Sequence, residues 1–455
     1  MRTARIANAR IVTPDGIVSG DVTFEAPEEA GHSGRILEVG PSTLNADQTF
    51  DACGAWLVPG GIDAHVHFGG FGSVPIADGF YRGSRAALAG GTTTVIDFVE
   101  PDGEESVPHA IERRRRDAMT SMVDYVFRLV LTENYRMQME HLPLAERAGI
   151  HDFKLFTIYD GETLREDDMR FILGKLADDP HRTFLVHAED PDQIARLQAE
   201  HGDSTDFLEL ARTRPPECEA RMVRMLRHLV DETGARVCVA HSTTAATMDL
   251  LEGPVPARGE FVAETCPHYL AFTEDSLKGK GGCLFTMTPP LRDAGNVEAL
   301  WNKALEGQLI LSTDHCPYSL RYKRDATYQT VPCGVDGVWT RMSWLYSEGV
   351  ASRGMDMRRY VLLTSENAAK FYGLFPRKGA IVPGADADLA VIQDGEWQVR
   401  VEDAPDALDY TIWEGNRLRG RVARTYHGGR LAFDGTRVLA RPGSGKQIDK
   451  TRMEA

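Results

Sequence analysis

Five stretches of this sequence carry residues able to bind a metal ion at, or inside, runs that are otherwise apolar. Gly61-Ile62-Asp63-Ala64-His65-Val66-His67 places two histidines two residues apart. In an extended segment that spacing sends both imidazoles to one face, where their nitrogens could share a cation. The runs 183–186 and 237–240 end in His187 and His241, the run 309–312 is followed by Thr313 and Asp314, and Lys154 interrupts Asp152-Phe153-Lys154-Leu155-Phe156. An isolated HxH carries little weight, and each residue taken singly is as well explained as a satisfied core or rim residue. Together they form a set of imidazole and carboxylate donors of the kind that zinc and similar ions take.

Lys154 is the most informative member. A lysine inside an apolar strand must shed its charge or find a partner, because burying an unpaired ammonium is very costly. Neutral lysine is nucleophilic, and carbon dioxide can add to it to give a carbamate, an anionic bidentate ligand able to bridge two divalent ions. The alternative is a lysine paired with a carboxylate, for which Asp152 and Asp160 stand nearby in the sequence.

The elements that must hold these residues follow from periodicity. Strands are predicted over residues 56–62, 93–98, 125–131, 153–156, 183–186, 236–240, 261–264 and 309–312, with helix-like stretches such as 80–89, 106–122, 166–178 and 217–233 between them. Eight β-then-α units predict an α/β fold with a parallel sheet, and the count suits a (β/α)8 TIM-like barrel; a doubly wound open sheet is the alternative. In a barrel, residues at the C-terminal strand ends face one common mouth. The two ends of the chain read differently. Short strands at 5–12, 21–24 and 35–39, and again at 388–392, 421–427 and 430–433, are separated by turns such as Pro14-Asp15-Gly16 and Gly428-Gly429. The expected division is a small β-sandwich domain built from 1–54 and 380–435, a catalytic barrel over 55–379, and a C-terminal tail at 436–455. Gly443-Ser444-Gly445-Lys446 lacks the spacing and following helix of a phosphate loop and reads as flexible tail.

Composition excludes other classes. A net charge of −16 opposes nucleic-acid binding. The one basic run, residues 113–116, is flanked by Glu112 and Asp117 and reads as a solvated helix face. Seven cysteines without CxxC pairs predict reduced thiols and a cytoplasmic location. There is no signal-peptide-like start and no run of 18 apolar residues, so no membrane association is expected.

In combination these motifs resemble the amidohydrolase superfamily and, within it, the dihydropyrimidinase and hydantoinase group of cyclic amidases. The matching segments are Pro59-Gly60-Gly61-Ile62-Asp63-Ala64-His65-Val66-His67, Gly91-Thr92-Thr93-Thr94-Val95-Ile96-Asp97-Phe98, Phe153-Lys154, Val186-His187-Ala188-Glu189 and Ala240-His241-Ser242. Glu264-Thr265-Cys266-Pro267-His268-Tyr269-Leu270, Thr288-Pro289-Pro290-Leu291-Arg292, Ser312-Thr313-Asp314-His315, Lys378-Gly379 and Gly384-Ala385-Asp386-Ala387-Asp388-Leu389 extend the match over residues 5–435 or so.

The resemblance implies two divalent metal ions, zinc by preference with manganese or cobalt also fitting. His65, His67 and Asp314 would hold one ion, His187 and His241 the other, and Lys154, carrying a carbamate from CO2, would bridge both. It implies hydrolysis of a cyclic amide or imide, a dihydropyrimidine or 5-substituted hydantoin, to an N-carbamoyl amino acid by metal-hydroxide attack. Asp314 would carry the proton and Tyr159 would stabilise the oxyanion. Backbone groups around Thr288 and Cys333 would hold the imide edge, although hydantoinases commonly carry serine and asparagine at these two positions. The segment Phe68-Gly69-Gly70-Phe71-Gly72 also departs from the usual loop. Dihydroorotases usually place an arginine where Gly69 stands, which disfavours that reading; allantoinase fits the segment 264–270, but Tyr159 pulls the other way. Dihydropyrimidinase-related scaffold proteins share the fold but lack the full ligand set. The resemblance further implies a homotetramer or homodimer acting on a small molecule. His315, which follows Asp314, is expected to contact the groups that surround the ligands, and the remaining histidines are expected at the surface.

Overall fold

A computed structural model describes residues 2–28, 33–70, 72–251 and 259–453. Eight parallel strands, Gly61–Asp63, Thr92–Val99, Asp124–Val130, Asp152–Phe156, Thr183–His187, Arg236–Val239, Glu260–Thr265 and Ile310–Leu311, each pair with the next in chain order. Nearly every residue in them is buried, as expected for strands covered by helices on one side and by barrel filling on the other. The first and last strands meet beyond their ladders. Val66 bridges to His315, and the His67 N–H donates to the His315 carbonyl at 2.9 Å. Lower down, the buried Arg341 donates to the carbonyls of Ile62 at 3.0 Å and Leu311 at 2.7 Å, so one guanidinium laces the seam. The sheet is therefore a barrel and not an open doubly wound sheet.

The helices between these strands are amphipathic in the predicted way. Pro216–Thr233 buries Val223, Leu226, Leu229 and Val230 along one stripe and stops at Gly234, whose φ of +75° is the left-handed cap that glycine adopts most cheaply.

A second sheet of eight strands draws from both chain ends. Trp56–Pro59 is the joint: it pairs parallel with Arg2–Thr13 and antiparallel with Leu389–Gln398. Ile6, Ile11, Phe24, Leu57, Leu389 and Val391 share its core. The single strand expected over 56–62 is thus two, belonging to different sheets. The chain crosses between them at Gly60, where a Cβ would lie 2.2 Å from Thr93 Oγ1, so only glycine fits.

The tail is docked, contrary to the flexible segment expected. The Tyr125 N–H donates to the Lys446 carbonyl at 3.0 Å, and the Ile448 N–H returns to the Tyr125 carbonyl at 2.8 Å. Lys450 reaches in to Asp152 at 2.6 Å, both groups buried. The basic run is also not a solvated face throughout. Arg114 is buried and lies 3.7 Å from Asp97, and its guanidinium fills the space a side chain at Gly69 would need. His151, His268 and His427 are buried, not superficial. Phe71, in the divergent loop, lies outside the described residues. All seven cysteines are unpaired. Among the described residues no helix is long and apolar enough to cross a membrane.

Candidate metal centre

The barrel mouth brings the candidate ligands and substrate-contacting residues to one small cavity: the histidines, Asp314 and Tyr159 from at or just beyond strand ends, Lys154 from within a strand, and Thr288 and Cys333 from longer loops. His65, His67, Lys154, Tyr159, His187, His241, Thr288, Asp314 and Cys333 all line it. His65 and His67 both aim Nε2 at the same Oδ1 of Asp314, at 3.1 and 3.0 Å. One donor atom from each of these three lies within 4.8 Å of the others. The His187 and His241 rings sit 4.6 Å apart, with His241 5.5 Å from His65. The Lys154 Nζ projects into the same space, 4.8 Å from the Phe156 ring and 5.6 Å from Phe98. Neither suggested carboxylate partner of Lys154 serves: Asp152 is occupied by Lys450 and Thr183, and the cavity lining does not include Asp160.

The electrostatics favour a cation. Burial pushes His65 and His241 well below the ordinary imidazole value and lowers His187 too, so their lone pairs are free to donate. Burial alone would raise Asp314, but His65, His67 and His241 hold it well below the usual carboxylate range. Burial brings Lys154 down to about 8 against the pull of Glu264 and Asp314. The Nδ1 of His241 is buried without a hydrogen-bond partner among the described residues. Buried polar atoms are normally satisfied, so neutral imidazoles beside an ionised carboxylate make a donor set that fits divalent ions.

Backbone strain gathers at the same place. Tyr159, His241 and Asp314 have φ of +98°, +33° and +48°, values that side-chain-bearing residues adopt at a cost. The Tyr159 hydroxyl lies 2.7 Å from Thr288 Oγ1, and burial raises its pKa, keeping the phenol protonated.

Behind the ligand candidates stands a ring of residues that sequence reasoning did not single out. Glu264 contacts His65 Nδ1, accepts the Ser312 hydroxyl at 3.0 Å and the His241 N–H at 3.2 Å, and sits raised to about 7 by burial despite Arg128 and Lys154. Glu189 accepts from His187 Nε2 at 2.8 Å and from Arg214. Asp63 accepts the Thr313 N–H at 3.0 Å and hydroxyl at 2.7 Å, fixing the strand that carries Asp314. Such partners set ring orientation and tautomer. Glu264 and Glu189 fall inside the quoted motifs, and Arg128 interrupts an apolar strand as Lys154 does; that shared signal could have found them. The His315 side chain turns to Asp78 and the backbone of Gly337, not to a ligand candidate: its Nε2 donates to Asp78 at 2.8 Å, and Nδ1 accepts the Gly337 N–H at 3.1 Å.

Comparison with known proteins finds relatives of this sequence and fold. The model of the amidohydrolase family matches residues 56–432. A D-phenylhydantoinase of Escherichia coli O1:K1 / APEC is 31% identical over 446 residues, covering 95% of each chain. A D-hydantoinase crystal structure superposes with a TM-score of 0.91 at 29% identity over 100% of both chains. The dihydropyrimidinase of Brevibacillus agri NCHU1002 follows with a TM-score of 0.90 at 27% identity over 98% of both.

Proposed function

The chain belongs to the amidohydrolase family, and we propose that it is a hydantoinase or dihydropyrimidinase-type enzyme that opens a cyclic amide or imide ring by hydrolysis. The observation that carries this reading is the meeting of four buried imidazoles, Lys154 and Asp314 on one cavity that also holds Tyr159. On this reading His65, His67 and Asp314 would hold one divalent ion, His187 and His241 would hold a second, and Lys154, as its carbamate, would be a ligand to both. When bound, the ions supply Lewis acidity, acidifying water and polarising the ring carbonyl.

The chain's own residues do the rest. Asp314, kept ionised by its histidine neighbours, takes a proton from the attacking water and returns it to the departing ring nitrogen. The protonated Tyr159 phenol donates to the oxygen that gains charge as the carbonyl carbon becomes tetrahedral. Its contact with Thr288 fixes the phenol over the cavity before substrate arrives. Main-chain groups at Thr288 and Cys333, which line the cavity, would hold the ring's imide edge. Atoms balance: one water is consumed, the ring C–N bond breaks, and a carboxylate and a ureido N–H remain.

The test is a substrate panel of dihydrouracil, 5-substituted hydantoins, allantoin and simple cyclic imides, assayed on protein reconstituted with zinc and with manganese. Turnover of hydantoins or dihydrouracil above allantoin is expected. A chain loaded with either metal that hydrolyses none of them would overturn the reading.

A further inference from the structure

Tyr159, Thr288 and Cys333 belong to two cavities at once: the small one around the proposed ligands, and a vestibule of about 970 Å³ outside it. A ring held at the inner cavity would therefore point its substituent into the vestibule. Ile158, Ile194 and Val331 give that space an apolar side able to pack a methylene chain.

Its charges do not balance. Four acids, Glu133, Asp160, Asp168 and Asp192, and two bases, Arg165 and Arg214, line it. Both bases are already engaged. Arg165 Nη1 sits 3.0 Å from each oxygen of Asp192, and Arg214 is buried against Glu189. Asp168 accepts the Tyr135 hydroxyl at 3.0 Å and the Arg165 N–H at 3.1 Å, neither of which brings a charge. Among the described residues Glu133, Asp160 and Asp168 have no ion pair with lysine or arginine. Three carboxylates thus face one concave space without a countercharge, and a cleft lined by one sign of charge concentrates ligands of the other.

We propose that the substrate's ring substituent is an alkyl chain ending in a cation, an ammonium or guanidinium, and that Glu133, Asp160 and Asp168 select it. This rests on the ring-opening reading above. It extends that reading from the reacting ring to the rest of the substrate, and discrimination arises as much from rejecting an anionic chain as from attracting a cationic one.

The experiment compares three hydantoins carrying, at ring carbon 5, an aminobutyl, a pentyl or a carboxybutyl chain, on the zinc-loaded full-length protein. The expected kcat/KM order is aminobutyl, pentyl, carboxybutyl, with at least about tenfold between the extremes at low salt, shrinking as added salt screens the field. The double variant Glu133→Gln/Asp160→Asn is expected to keep its rate on the pentyl compound and lose most of the spread. Equal kcat/KM for the charged pair, or a preference for the carboxylate, would overturn the proposal while leaving ring hydrolysis intact. If none of the three is hydrolysed, the ring-opening reading is what fails, and charge selection is then read from calorimetric binding. There the same order supports it, and equal Kd values for the charged pair reject it.

Discussion

At the floor of the barrel Lys378 sits 2.6 Å from both Asp124 and Asp388 and 3.1 Å from Asp386, and Lys450 sits 2.6 Å from Asp152. At the mouth, His65 and His67 compete for a single oxygen of Asp314 while His187, His241 and Lys154 crowd the same cavity. Both clusters are buried and rich in charge or donors. The floor answers each charge with an opposite one across a hydrogen bond, which is how a buried ionic network avoids the cost of its own desolvation. The mouth gathers more lone pairs than its protons can satisfy and holds Tyr159, His241 and Asp314 in strained backbone to do so. Burial alone does not mark a functional site; unmatched donors do.

The contrast can be broken from either side. Lys154→Ala is expected to lower kcat/KM on a hydrolysed hydantoin at least about a thousandfold, the size of losing metal assistance, with an unchanged circular-dichroism spectrum. Lys378→Met should do the reverse. It takes the shared ammonium from three buried carboxylates, leaving Asp386 with Arg35 and Arg377, Asp124 with His427, and Asp388 with no ion pair among the described residues, and is expected to cost about 3–5 kcal/mol in urea unfolding, while the folded fraction retains its specific activity.

Glu189 tests the boundary between the two behaviours, since it is paired like a floor residue but orients a ligand candidate. Burial would raise its carboxyl, yet Arg214 and His187 bring it down to about 2. A folded value below the unfolded one of about 4.5 means the contribution is fully present above pH 4.5 or so and is lost as pH falls through about 2. That contribution is on the order of 3 kcal/mol. Urea unfolding of metal-free protein across that window should show the loss in wild type and a flatter profile in Glu189→Gln; parallel profiles would remove the role. The smallest of these effects is expected from Tyr159→Phe: about a hundredfold in kcat with little change in KM.

Much of the barrel was legible in the sequence because its strands are largely apolar runs, and the candidate site because ionisable residues end or interrupt several of them. His187 and His241 lie at the ends of such runs, and Lys154 lies inside one. What escaped depended on contacts between distant segments. Nothing local distinguishes Gly60 as the crossing between two sheets; the restriction comes from Thr93, and it is visible only once both are placed. Gly443-Ser444-Gly445-Lys446 has a linker's composition, yet its backbone completes hydrogen bonds with Ser121 and Tyr125 at the barrel floor. Arg114 looked like one charge in a solvated run, but its helix turns it inward to Asp97, into space that Gly69 leaves open. Arg128 breaks an apolar strand as Lys154 does, but no histidine motif flanks it, and its place beside Ala64 and Glu264 depends on other strands.

The most direct test is the metal content of the purified full-length chain by mass spectrometry, wild type beside Lys154→Ala. Two divalent ions per wild-type chain, and one or none in the variant, are predicted. A Lys154→Ala chain that still holds two ions, or a metal-free wild type with full hydrolytic activity, would contradict the assignment of the mouth as a lysine-bridged metal centre.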